Sequence, residues 1–405
     1  MNRITQWISD RRILLLLFIL LSSGASIQSF LLPPVKYENN IKAYNKFNNY
    51  VIFRQSFYHL TDGKDIYQPF PQEHWDLYKY SPAFSLLFGI FATLPDYIGL
   101  IIWNCLNAIL FVLAIYYLPK IPNFKKGLIL LACLLEMMTS IQNEQSNGLM
   151  AGLLILAFGL CERKHFFIAA MCIVLSAYIK LFGIVGMSLF LFYPQKWKLT
   201  LYSFFWAIIF FLIPLLVIDF GHLLDLYHSW FQLLSSDHSP SAYGFSVFGW
   251  LKTWFHFQPQ NIWILITGAF IFLIPFTRIK MYSAFDFRLL ALCSLLIWVV
   301  IFNHMAESPT FIIAMGGIAI WFFTRKMTLV NVILFSLAIL LTSLSSTDII
   351  SHDFRNQFVR PYVLKAFPCI LIWIKIIMDM MRAKMDIEWS TSDQPLSVNT
   401  GRYDL

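Results

Sequence analysis

The feature that most constrains this chain is a succession of apolar runs separated by turns that are alternately basic and nearly free of basic residues. A helix needs about 20 mostly apolar residues to cross a bilayer, and fewer when it is short or shielded by neighbours. Runs of this kind occupy 13–32, 97–118, 127–141, 149–161, 166–178, 181–193, 199–218, 262–276, 287–302, 311–323, 329–341 and 362–378. A further run of only about 13 residues, 82–94, is closed by Pro95 and is too short to span comfortably. The pattern predicts an all-α polytopic membrane protein with about twelve transmembrane helices. Residues 1–381 form one transmembrane domain, and 382–405 form a flexible polar tail. Composition agrees: 13% of residues are charged and 58% hydrophobic, with forty Phe and thirteen Trp. Soluble domains carry about 25% charged residues, so this chain has roughly half their charge.

The formal charge of +8 does not signal nucleic-acid binding, because the basic residues form short clusters between apolar runs, which is how membrane orientation is encoded. With the N-terminus cytoplasmic and 82–94 not crossing, the cytoplasmic turns carry Lys120/Lys125/Lys126, Arg163/Lys164, Lys196/Lys198, Arg278/Lys280/Arg288, Arg325/Lys326 and Arg382/Lys384. If 82–94 crossed, every later cluster would fall outside. That run is therefore expected to be a re-entrant or interfacial helix, with both termini cytoplasmic in the inner membrane. Arg3, Arg11 and Arg12 ahead of an apolar run and Ser22-Ser23-Gly24-Ala25 also fit a signal peptide; with so many later spans, an uncleaved first anchor is the expectation. The six cysteines lie in apolar runs without a CxxC pair, so neither a disulfide framework nor a zinc site is expected. No internal repeat is visible, which counts against the inverted-repeat transporters.

Polar groups beside spans cost free energy and mark functional candidates. They concentrate on the non-cytoplasmic side. The first outer loop, within 33–96, holds Asn48, Asn49, His59, Asp62, Asp65, Glu73, Asp76 and Lys79, interleaved with Tyr67, Trp75, Tyr78 and Tyr80. Aromatic faces mixed with carboxylates and amides suit a sugar; they equally suit a segment lying on the membrane. Gln142-Asn143-Glu144-Gln145-Ser146-Asn147-Gly148 carries six polar side chains where a hairpin needs two or three. Lys180 is a lone cation at the outer end of a span, able to hold a lipid phosphate or to snorkel to a headgroup. Asn303, His304, Glu307 and Ser308 put a carboxylate and an imidazole within one turn, a pairing that serves proton transfer or a structural hydrogen bond. The second large outer loop, 219–261, contains His222, Asp225, His228, Asp237 and His238 without zinc-ligand spacing, so no metal is expected.

These segments resemble glycosyltransferase family 87, the polyprenyl-phosphate-mannose-type mannosyltransferases of the GT-C fold. Asn49-Tyr50-Val51-Ile52-Phe53 through Gly63-Lys64-Asp65-Ile66-Tyr67 is similar to that family's first loop. Tyr78-Lys79-Tyr80-Ser81-Pro82-Ala83-Phe84 is similar to its Tyr-x-Tyr-Pro-Pro-like lead into a membrane helix. Glu144-Gln145-Ser146-Asn147 resembles its Gly-Gln-x-Asn turn, and Ile179-Lys180-Leu181 its Lys-containing segment. Gly244-Phe245-Ser246 and Glu307-Ser308-Pro309 are weaker matches.

The resemblance implies a GT-C-like bundle and an inverting hexosyltransferase. Such an enzyme moves a sugar such as mannose from a polyprenyl-phosphate donor to a glycolipid or glycan acceptor outside the membrane. It implies no metal and no cofactor beyond the lipid-linked donor; the other partners are membrane lipids, with no nucleic acid. A first-loop carboxylate would act as base, with cationic groups on the departing phosphate. Here that position falls on Asn48 or Asn49, and an amide is not a base. Three readings stay open: another carboxylate (Asp65, Asp62, Glu144 or Glu307) takes the role, the register is displaced by a turn, or activity is altered. Tyr67, Lys79, Tyr80, Gln145, Asn147, Lys180, Ser246 and His304, with Asn48, are the expected substrate contacts. A transporter or flippase using Glu136, and a non-catalytic glycolipid-binding protein, are the competing classes.

Overall fold

The computed structural model describes residues 3–36, 42–236, 243–347 and 349–384. These are mostly helical, with turns, a longer irregular segment over 62–81 and one isolated antiparallel bridge between Val35 and Tyr44. Two helices open the chain, α1 (Arg3–Ser9) and α2 (Arg11–Leu31). Asp10 caps α2 by accepting from the Arg12 amide. Then follow α3 (Asn48–Thr61), α4 (Pro82–Ala92), α5 (Asp96–Tyr117), α6 (Asn123–Ile141), α7 (Asn147–Glu162) and α8 (Phe166–Ile179). A 3₁₀ segment, Leu181–Phe192, precedes α9 (Lys196–Leu212), α10 (Phe220–Ser236), α11 (Val247–Phe255) and α12 (Asn261–Leu273). The last five are α13 (Phe285–Ile301), α14 (Phe311–Thr324), α15 (Leu329–Leu337), a single turn α16 (His352–Phe354) and α17 (Phe367–Arg382).

Among the described residues, four helical stretches are long and apolar enough to cross a membrane: Arg11–Leu31, Asp96–Tyr117, Lys196–Leu216 and Leu329–Ser346. Their apolar side chains do not all turn inward. On α9, Leu201 and Phe204 are each 64% exposed, an arrangement that lipid rewards and water does not. The centre is different. In α14 every residue from Phe311 to Phe322 is buried, as a helix that is apolar all round must be. Helices α7 and α13 pack beside it. Close approach of α7 to α5 depends on Gly152, where a Cβ would meet the Phe111 amide nitrogen at 3.0 Å.

The hydrogen bonds sort the helix ends into two groups. At one end the basic turns tie neighbouring elements together. Lys126 donates to the Tyr116 carbonyl, Arg163 to that of Tyr117, and Arg278 to those of Met380 and Met381. Arg288 forks onto Glu162 at 2.6 and 2.8 Å, and Tyr193 donates to the same carboxylate. At the other end, Asn49 donates to the Asn143 carbonyl, Trp103 to that of Glu144, and Trp254 to that of Tyr362. Helix α4 has both ends at this second, polar end. Ser81 caps its start and its amide meets the Tyr178 carbonyl, while Tyr50 and Tyr58 on α3 donate to the carbonyls of Phe91 and Ala92 at its finish.

Several sequence expectations change. The outer stretches 33–80 and 219–261 are not plain loops: the first contains α3 and the second contains α10 and α11. The apolar run 181–193 is wound as 3₁₀ and packs so tightly on α8 that a Cβ at Gly183 would lie 2.4 Å from the Ser176 hydroxyl. The run 362–378 becomes helical only at Phe367, because Val363 adopts a left-handed φ of 53° and Pro368 sits at the helix start. Residues Asp237 and His238, and the tail beyond Lys384, lie outside the described residues.

Candidate functional site

Most first-loop aromatics build the loop. Tyr50, Phe53, Tyr67 and Tyr78 are buried, and Phe53 meets Tyr80, Phe84, Phe88 and Trp103 with ring centroids 4.8–5.8 Å apart. Edge-to-face pairs of this kind contribute about 0.5–1.5 kcal/mol each beyond their area burial. The Tyr67 hydroxyl donates to the Tyr80 carbonyl at 2.8 Å, so Tyr67 holds Tyr80 and is not itself presented to a ligand.

Tyr80 stands at the centre of the site. Its hydroxyl donates to Gln145 Oε1 at 3.4 Å, and the Lys180 ammonium lies 5.7 Å from its ring centroid. Lys180 Nζ donates to Asn147 Oδ1 at 2.7 Å and to Gln145 Oε1 at 3.3 Å. Three separate elements therefore converge: the lead into α4, the α6–α7 turn, and the break between α8 and the 3₁₀ segment. The break is needed because Lys180 has extended backbone (φ −137°, ψ 123°), which ends α8 and turns the cation toward the turn.

Two carboxylates act on this cluster. Burial above all, and then the charges of Glu307 and Asp76, push the Tyr80 phenol above its ordinary range. Glu307 also acts through space on Lys180. Glu307 is exposed and Asp76 half-buried. Glu307 begins the short 3₁₀ turn Ser308–Thr310, and the turn is clasped from the side: Gly244 and Phe245 amides donate to the carbonyls of His304 and Ala306, both at 2.8 Å. Ser246 is buried as the N-cap of α11, accepting from the Gly249 amide. The His304 ring lies against Phe248. Ser246 and His304 thus shape the clasp beside Glu307.

The remaining expected residues sit elsewhere. Asp65 accepts from the Tyr67 amide, the Gln68 side chain and Ser229 of α10, at 3.0–3.1 Å. Its lone pairs fasten the loop to α10, and Trp230 of the same helix donates to the Lys79 carbonyl. Asn48 is buried, with its Oδ1 3.4 Å from the Trp75 amide; Asn49 spans to the Asn143 carbonyl. Glu144 is buried at a left-handed φ of 48°, and its Oε1 has no hydrogen-bond partner. Burial raises its carboxyl well above the ordinary range, opposed by a hydrogen bond from Ser29 and by the charge of Lys46. It therefore faces α2 and the start of the first loop. Among the described residues, no group of three or more His, Cys, Asp or Glu side chains could hold a metal ion.

One feature at this end is invisible to local sequence reading. Lys365 donates to both oxygens of Glu136, at 2.9 and 3.1 Å, and both side chains are buried. Asp76, too, is one polar residue among many in the sequence; its effect on Tyr80 comes from the fold.

The class defined by these observations is a helical membrane protein with a polar, cation-bearing site at one end. The family model for glycosyltransferase family 87 matches residues 78–347, more than half of the chain, and the protein belongs to that family. Membership implies a glycosyltransferase, which binds a sugar donor and an acceptor. The match takes in Tyr80, Gln145, Asn147, Lys180 and Glu307; it begins after Asn48, Asn49, Asp65 and Tyr67, and ends before Lys365. No curated protein matches the chain.

Proposed function

We propose that the protein transfers a hexose, such as mannose, from a polyprenyl-phosphate donor to a glycolipid or glycan acceptor at the non-cytoplasmic surface of the inner membrane. The observation that carries this reading is the convergence of Lys180, Gln145, Asn147 and Tyr80, with the exposed Glu307 acting through space on both Lys180 and Tyr80. The Lys180 ammonium receives the departing lipid phosphate as a charge-assisted donor. Glu307 takes the proton from the acceptor hydroxyl as its oxygen attacks the anomeric carbon and the bond to phosphate breaks with its electron pair, inverting the centre. Asp76, which also acts on Tyr80, is the alternative base. Asp65 and Glu144 are poorer choices, the first already accepting from three donors and the second turned toward Ser29 and Lys46.

About twelve crossings, cytoplasmic termini and α4 as a segment that does not cross complete the reading, supported by the separation of basic and polar helix ends. A transport route would need accessible charge inside the bundle. Glu136, the charge best suited to that role, is buried and paired with Lys365, which supports transfer over transport.

The test supplies purified protein with polyprenyl-phosphate mannose and a glycolipid acceptor, follows the product by mass spectrometry and reads its anomeric configuration by NMR. A product heavier by one hexose, with inverted anomeric configuration, is expected. Substrate accumulation in proteoliposomes without covalent change would replace this reading with a transporter.

A further inference from the structure

The Glu136–Lys365 pair lies beneath the Glu307 turn and is joined to it. Besides both Glu136 oxygens, Lys365 Nζ contacts Ser308 Oγ at 2.8 Å and Ser346 Oγ at 2.5 Å, and the two hydroxyls are 2.9 Å apart. The ammonium also faces the Phe311 ring at 5.1 Å. Four stretches of chain meet at this one nitrogen: α6, the 308–311 turn, the end of the α15 stretch, and the segment leading into α17. Two of them are locally irregular. The α15 stretch passes through a π-helical segment, Ala338–Ser343, then a 3₁₀ turn, Leu344–Ser346. There Thr342 donates to the Lys365 carbonyl at 2.8 Å. Val363, two residues before Lys365, is β-branched yet holds φ at 53°, a strained state that persists only where the surroundings enforce it. Stability alone does not account for such an arrangement, since a well-packed apolar pair is commonly as stable as a buried ion pair or more so.

We propose that Lys365, fixed by Glu136, is a positioning residue for sugar transfer: it clamps Ser308 from below so that the adjacent Glu307 is held toward Tyr80 and Lys180. This rests on the reading of Glu307 as the base. Nothing reacts at Lys365; it acts through the turn, while the Gly244–Phe245 backbone clasps the same turn from the side.

The test uses the full-length protein. Replacing one partner alone strands a buried charge, so the informative variant is the double E136L/K365M, backed by S308A, which leaves the ion pair intact and removes the hydroxyl that joins the turn to Lys365 and Ser346. Two readouts are taken: hydrogen–deuterium exchange of peptides covering 303–310, and kcat and KM for the lipid-linked donor. At an unchanged melting temperature, exchange at 303–310 should rise in both variants while exchange in α7 and α14 stays unchanged. In the double variant kcat should fall by about 10- to 100-fold with KM for the donor nearly unchanged, as expected when a reacting group is misplaced by about an ångström. S308A should shift both readouts the same way by less, and it decides the matter if the double variant does not fold. Wild-type kcat with wild-type exchange at 303–310 would overturn the proposal. If the wild-type protein transfers no sugar, the functional reading fails separately, and the exchange comparison still shows whether Lys365 orders the turn.

Discussion

Replacing Lys180 by methionine keeps most of the side-chain volume and removes the cation that meets Asn147 and Gln145. In the free protein this ammonium spends two of its three donors on Asn147 Oδ1 (2.7 Å) and Gln145 Oε1 (3.3 Å). One N–H therefore remains for a phosphate oxygen, on an ammonium whose pKa burial lowers to about 8. A charge-assisted hydrogen bond is worth about 1.5–3 kcal/mol. If that bond forms only as negative charge builds on the departing phosphate, its loss lowers kcat by about 10- to 150-fold. An environment that excludes water pushes the effect toward the upper figure. Lys180→Arg, which keeps the charge but changes its shape, should fall between wild type and methionine. The assay is single-turnover transfer from labelled polyprenyl-phosphate hexose at saturating acceptor, with a melting curve in detergent to confirm folding. A folded Lys180→Met protein with kcat within about twofold of wild type would remove the phosphate-stabilising role, because less than about 0.4 kcal/mol would then be at stake.

Three further outcomes follow from the same geometry. Glu307→Gln should abolish transfer at an unchanged melting temperature, whereas Asp65→Asn should lower the melting temperature by loosening the loop from α10 and leave measurable kcat; if Asp76→Asn alone abolishes transfer, Asp76 is the base. Burial raises the Glu144 carboxyl above its unfolded value, so protonation favours the folded chain: this stabilisation is complete below the ordinary glutamate range, about pH 4.3, and is lost as pH rises toward the folded value. Glu144→Gln, which cannot ionise, should therefore melt progressively higher than wild type as pH increases above that range and should keep transferring sugar; loss of transfer in a folded protein would instead assign Glu144 to the chemistry. Gly244→Ala places a Cβ 2.2 Å from the Ala306 carbonyl oxygen, and the overpacking should cost about 1–3 kcal/mol, read as a lower melting temperature and increased exchange at 303–306.

Lys180, Gln145 and Asn147 are legible in the sequence because a polar group between two apolar runs is costly enough to stand out, and the fold brings those three together. Tyr80 is legible for its place at the lead into a short apolar helix. The first loop is less so. Its composition cannot separate aromatics that bind from aromatics that pack, and Tyr67 and Asp65 prove to hold the loop in place. Helix α10 hides in a stretch read as polar, although Leu223, Leu226, Tyr227 and Trp230, its buried residues, recur at helical spacing. The Lys365–Glu136 clamp joins positions 229 residues apart. Lys365 reads locally as a single cation at the edge of an apolar run, and nothing in its neighbours names its partner. Glu307 has the opposite character: its residue type marks it as a candidate base, but the clasp of Gly244 and Phe245 on the 304–306 backbone and the tether at Ser308, which hold its turn, are not legible in the sequence.

The most direct measurement of the central claim is a cryo-electron microscopy structure with a non-hydrolysable polyprenyl-phosphonate hexose bound. The account predicts the phosphonate oxygens within hydrogen-bond distance of Lys180 Nζ, the hexose over Tyr80 and Gln145, and the Glu307 carboxylate on the face of the anomeric carbon opposite the phosphonate. A donor seated at the basic end, near Arg288 and Lys196, or a phosphonate at the polar end that leaves Lys180 bonded only to Asn147 and Gln145, would contradict it.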